Sequence, residues 1–198
     1  MSRARLSTGA AWFAFGGCVL AVRSRHVGRA EETFMLKVNK LPDELNAPLW
    51  TIMQLGALAS PLVCGGVATV AGRPDLGRRL VATGVWAYLL ANVIKRSVGR
   101  ARPDDLVSGI HVRATPANGG GFISGHAAVS AAIGIEAYLS LGRRAWPLPY
   151  VVAPLVGFSR VYVGAHLPLD VLGGTTFGWA LGATIHHVAA HGDAVNIP

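Results

Sequence analysis

The chain of 198 residues is poor in charge: Asp, Glu, Lys and Arg make up 14% of it, where a soluble domain carries about a quarter. Cysteine is nearly absent, with only Cys18 and Cys64, both inside apolar stretches; a disulfide framework is excluded, and buried free thiols are expected instead. Glycine follows no fixed period, which excludes a collagen-like fibre, and there is no internal repeat or low-complexity tract. Lysine is scarce as well, three against fifteen arginines, which together with abundant Ala, Gly and Val suits a GC-rich bacterium. What the chain does have is apolar residues, 52% of the total with a mean hydropathy of +0.43. That excludes disorder and points to a membrane. The net charge of +8 would ordinarily raise nucleic acid as a partner, because phosphate neutralisation dominates such binding. With no basic soluble face and no aromatic-interleaved module, no nucleic-acid partner is expected.

A bilayer crossing takes about 20 apolar residues at about 1.5 Å each. Uncharged runs occupy 49–72, 171–192 and 114–135, the last apolar from near Phe122, with shorter runs at 6–22, 80–94 and 145–159. These predict helices over 7–22, 50–71, 79–96, 124–141, 147–164 and 170–190. The expected fold class is all-α: a polytopic membrane helix bundle of about six transmembrane helices, one domain over residues 1–198. Arg3 and Arg5 before the first run also fit a signal peptide, but Arg23 and Arg25 follow with no small-residue cleavage site, so a retained helix is read. Phe34, Val38 and Leu41 then stand at i, i+4 and i+7 among Glu31, Glu32, Lys37 and Lys40. That spacing predicts a short interfacial helix before the second span, ended by Pro42.

Ionisable groups at apolar segments are costly and therefore informative. One cluster is Lys95, Arg96, Arg100, Arg102 and Pro103 at the end of the third helix; another is Ser124-Gly125-His126 at the start of the fourth. A third joins Ser159-Arg160, near the end of the fifth, to His166 and Asp170 at the start of the sixth. Counting crossings puts all three clusters on one face, with Arg73, Arg78, Arg79, Arg143 and Arg144 on the other. Lys95, Arg102 and Arg160 supply three cations, and Ser124 with Gly125 a hydroxyl and the N–H groups of a helix start; together these make a phosphate cradle. A carboxylate at Asp170 beside the imidazole of His166 would fix its tautomer for nucleophilic attack, while His126 protonates the leaving oxygen. Singly, each residue has a plain structural role: a snorkelling anchor for Lys95, helix caps for Ser124 and Asp170, a bundle histidine for His126 or His166.

Lys95-x6-Arg102-Pro103, Ser124-Gly125-His126 and Ser159-Arg160-x5-His166-x3-Asp170 together resemble the three-part signature of the type 2 phosphatidic acid phosphatase (PAP2) family. The resemblance implies a metal-independent membrane lipid phosphatase without a cofactor. His166 would be the nucleophile, Asp170 its partner, His126 the general acid, and Lys95, Arg102, Ser124, Gly125 and Arg160 the phosphate ligands. The family usually has Pro before Ser-Gly-His, where this chain has Ile123, and loss of the ring is expected to loosen that approach. Implied partners are membrane lipids and a lipid phosphate substrate: phosphatidic acid, phosphatidylglycerol phosphate, undecaprenyl pyrophosphate or decaprenylphosphoryl phosphoribose. A phosphotransferase of the same mechanism and a non-catalytic lipid-binding or transport protein are the alternatives. Once the catalytic cations are set aside the positive-inside rule hardly separates the two faces; the resemblance implies an extracytoplasmic site. Outside the signature, Arg100 is a candidate extra phosphate contact, and His111 with Arg113 are candidates to shape substrate access. Glu136 is a candidate buried ion-pair member, and His186, His187 and His191 read as a solvated helix end, not a metal site.

Overall fold

The computed structural model describes residues 3–24, 26–113 and 119–195. They are helical, with no strand among them: α1 (Arg3–Val22), α2 (Arg29–Asn39), α3 (Asn46–Met53), α4 (Ala59–Val70), α5 (Pro74–Val98), α6 (Pro103–Leu106), α7 (Gly125–Leu141), α8 (Ala153–Tyr162) and α9 (Pro168–Val195). The centre is α7 packed along α9, flanked by α5 on α7, α1 on α9 and α4 on α5. Small residues make this closeness possible. A Cβ on Gly174, Gly178 or Gly182 of α9 would run into the carbonyl oxygens of Ser124, Ala128 and Ala132 respectively. Gly65 of α4 and Gly77 of α5 meet in the same way, each where a side chain would strike the other's carbonyl. Helices that cannot gain from expelling water associate through such backbone approaches. Many large apolar side chains point outward: Phe13, Leu62, Val70, Trp86, Val93 and Val188 are all exposed. A chain with small-residue helix seams and many large apolar side chains outside is built for a lipid surround.

Several predicted elements are corrected. The second span, read as 50–71, is broken: α3 with its 3-10 end and α4 meet at 69°. At the break Gly56 presses on the carbonyl of His126, and Pro61, which has no N–H to give, sits in the first turn of α4. No single helix among the described residues is both long and apolar enough to cross a membrane, although this bent pair passes the test together. The third helix starts earlier than 79, with Pro74 at its first position, so Arg78 and Arg79 are helical and not in a loop. The predicted 147–164 helix opens as an irregular π-type turn, Leu148–Val152, where Pro147, Pro149 and Pro154 withhold donors, and only then becomes α8.

The short helix before the second span exists; of its predicted apolar set Val38 is buried, Leu41 is half-buried and Phe34 is exposed. Glu31, Met35, Val38 and Asn39 of α2 are buried against α8 and α9. Asn39 donates to the carbonyls of His111 and Tyr162, at 2.9 Å each, and accepts from the N–H of His111 at 2.8 Å. Arg113 joins this lock, donating to the carbonyls of Asn39 and Leu41 and pairing with Asp43 at 2.7 Å. His111 and Arg113 therefore fasten the loop after α6 onto α2, which is a structural task.

Candidate active site

Four helix ends converge at one end of the bundle: the C-termini of α5 and α8 and the N-termini of α7 and α9. The α5 end is closed by Gly99 in the left-handed conformation, its N–H on the carbonyl of Lys95. The Lys95 ammonium lies 3.9 Å from where a Cβ of Gly125 would stand, over the first turn of α7. Ser124 is the N-cap of that helix and accepts from the N–H of Ala127, leaving the N–H groups of Gly125 and His126 without intrahelical partners. An anion is the natural ligand of such a turn.

Arg102 is held by two loop carbonyls, those of Gly119 at 3.1 Å and Ala165 at 3.0 Å. Arg160, in the last turn of α8, is 7% exposed, touches the Met53 sulfur, and has a buried Nε with no hydrogen-bond partner. Its own carbonyl accepts from the N–H groups of Ala165 and His166, so one residue supplies a cation to the site and a cap to the turn carrying the histidine. Lys95 and Arg160 lie within electrostatic range of each other and of Arg102, His126 and His166. All eight signature residues thus share one end, and no grouping of His, Cys, Asp and Glu among the described residues suits a metal ion.

His166 precedes α9, which begins at Pro168, so it stands on the turn leading into the helix that carries Asp170. The side chain is buried at 2% exposure, and its Nδ1 lies 2.8 Å from the carbonyl of Gly121 but 3.9 Å from Asp170. A carbonyl can only accept, so Nδ1 carries the proton and Nε2 keeps its lone pair. Asp170 is engaged elsewhere: one oxygen takes the N–H of Leu167 at 2.9 Å, in the manner of a capping box, and the other takes Arg100 at 2.8 Å. The correction is that Gly121, more than Asp170, sets the tautomer, with the carboxylate as a nearby charge.

Arg100 is also corrected. Its guanidinium makes no room for phosphate: it is buried between Asp170 and a bidentate Glu31, at 2.8 and 3.1 Å. Its backbone carbonyl accepts from Gly121, so Arg100 holds Asp170 with its side chain and Gly121 with its main chain. Glu31 in turn accepts from the N–H of Leu169 at 2.9 Å, tying α2 to the first turn of α9. Glu31 and Gly121 are the site-supporting residues that sequence reading missed; the helical spacing of 31 with Met35, Val38 and Asn39 was the available signal for the first. The Gly119–Gly121 stretch is pinned at Gly121, where a Cβ would crowd Ala101 and Asp170. The approach to Ser124 is not slack either. Ile123 is fully buried beside Phe122, and the Ser124 N–H donates to the Asp170 carbonyl at 2.9 Å.

The other end carries the remaining polar cluster. Glu136, fully buried in α7, accepts from Arg79 and Ser140 at 2.9 Å each and meets His186 at 3.2 Å. His186 is therefore tied to a carboxylate and is not simply solvated.

An all-helical bundle with small-residue seams, whose four converging ends gather two histidines, three cations and an open helix start, is a scaffold suited to an anionic ligand in a membrane setting. The PAP2 superfamily profile matches residues 77–191, and the chain belongs to that family. It is 34% identical over 110 residues to the undecaprenyl-diphosphatase of Sulfolobus acidocaldarius, covering 56% of this chain and 52% of that protein, about half its length. It is 35% identical over 147 residues to the decaprenylphosphoryl-5-phosphoribose phosphatase of Mycobacterium tuberculosis, covering 70% of this chain and 71% of that one. In fold it resembles the crystal structure of the transmembrane PAP2-type phosphatidylglycerolphosphate phosphatase of Bacillus subtilis, with a TM-score of 0.73 and 24% identity over 93% of this chain and 96% of that one.

Proposed function

We propose that the protein is an integral-membrane lipid phosphatase that works through a phosphohistidine. The observation that carries this is His166: buried, its Nδ1 proton held by Gly121, and within range of cations that have no carboxylate of their own. The Nε2 lone pair attacks phosphorus while the bond to the lipid oxygen breaks, and His126 gives that oxygen its proton. Water then attacks the phosphohistidine, with His126 taking a proton, and inorganic phosphate leaves. Lys95, Arg102, Arg160 and the α7 N–H groups hold the non-bridging oxygens as charge develops on them. The Asp170 carboxylate, 3.9 Å away, favours the positive charge that builds on His166.

The substrate proposed first is a prenyl-linked sugar phosphate, because the relative so named matches over 70% of this chain. Six helical passes are proposed, α1, the bent α3–α4 pair, α5, α7, the π-turn with α8, and α9, with the site on the extracytoplasmic side. Phosphate release by purified protein from a panel of prenyl, glycerophospho- and diphosphate lipids tests the reading. His166→Ala should abolish release from every member, and near-normal turnover by that variant would falsify the scheme.

A further inference from the structure

Between α4, α5, α7 and the π-turn lies a chamber of about 550 Å³ with almost wholly apolar walls, including Val67, Leu80, Ile133 and Val152. None of the eight signature residues lines it. Its inner end is at Ser130, one turn below His126, and its outer end is at Leu141 and Arg73, toward the other end of the bundle. The helical rise makes that roughly 16 Å. There it shares Arg73 and Leu76 with a second, polar pocket of about 330 Å³ that adds Arg79 and Ser140.

Arg79 is paired with Glu136 and Arg78 with Asp75, whereas Arg73, the charged residue in the chamber wall, has no ion pair among the described residues. Arg143 and Arg144, just beyond Leu141, add positive charge at the same end. An apolar chamber of this size with a cation at its mouth fits one hydrocarbon chain under an anionic phosphodiester.

We infer that this is a second lipid site, which takes an anionic phosphodiester lipid from the leaflet opposite the catalytic end, with one chain in the chamber and the phosphodiester on Arg73. The site depends on the chamber and Arg73 and not on the proposed reaction.

The test is native mass spectrometry of the delipidated full-length protein in uncharged detergent, titrated with phosphatidylglycerol or phosphatidylcholine. Wild type should retain one phosphatidylglycerol about fivefold more strongly than phosphatidylcholine, the factor one basic residue gives at an anionic lipid. Arg73→Gln, at an exposed position, should erase that preference while a neutral lipid still binds, and Ala137→Leu, in the chamber wall, should weaken both. Phosphate release from a short-chain lipid phosphate by Arg73→Gln should stay within about twofold of wild type, so loss of the lipid site and loss of the phosphatase reading give separate results. Equal binding of the two lipids by wild type, or a preference that survives Arg73→Gln, would mean annular lipid only and overturn the proposal.

Discussion

The arginines of this bundle fall into two kinds. Arg100 and Arg79 reach into the protein and meet carboxylates, Glu31 with Asp170 in the first case and Glu136 in the second. Lys95, Arg102 and Arg160 crowd together at one end with no ion pair among the described residues, and Arg160 is almost as buried as Arg100. A buried cation without an anion is unfavourable. Retaining three side by side makes physical sense when a ligand supplies the negative charge. Arg100 and Arg79 tie elements of the bundle together, and Lys95, Arg102 and Arg160 are, on the proposed reading, the phosphate ligands.

Truncation should separate the two kinds, most sharply in activity. Arg160→Ala should lower kcat/KM by about 10³-fold, the upper effect of losing one donor to a developing oxyanion, worth about 4 kcal/mol. The same variant should melt no lower than wild type, because it removes a buried charge that repels its neighbours. A large fall in melting temperature with kcat/KM little changed would place Arg160 among the structural arginines.

Arg100→Ala should behave in the opposite sense. It strands two buried carboxylates, for which a loss of about 3–5 kcal/mol is expected, read as a fall in thermal midpoint in detergent. Activity should fall too, through displaced His166. Restoring half the balance with Glu31→Gln in the Arg100→Ala background should recover part of the midpoint, because one stranded charge is gone. No recovery would break the assignment of Glu31 and Arg100 to one network.

The distinction was half legible in the sequence. The candidate site residues announce themselves by type and spacing, so Lys95, Arg102, His126, Arg160 and His166 could be placed at one end by counting crossings. The supports did not announce themselves. The carbonyl of Gly121 carries no side-chain signal, and Glu31 sits in a run of charges that reads as a solvated face until Met35, Val38 and Asn39 are seen on the same side. Arg100, two residues from the signature arginine, looked like an extra phosphate contact because composition does not tell a paired cation from a free one. The break in the second span depends on Gly56 meeting the carbonyl of His126, a contact about 70 residues away in sequence that no local pattern encodes. The glycine seam was passed over, although 174, 178 and 182 stand four residues apart as small residues do at helix interfaces.

The smallest effect belongs to the opposite end and gives the comparison its sharpest check. In Glu136→Gln the amide oxygen can still accept from Arg79 and Ser140, and the amide N–H₂ takes the place of Oε2, which has no partner among the described residues. What is lost is the charge facing Arg79, a side chain that is 28% exposed and so partly solvated. A cost of about 1 kcal/mol in stability is expected, with kcat and KM each within about twofold of wild type. A tenfold loss of kcat would instead mean that the Glu136 cluster is coupled along α7 to His126, about 15 Å away by helical rise. The two kinds of arginine would then be parts of one device.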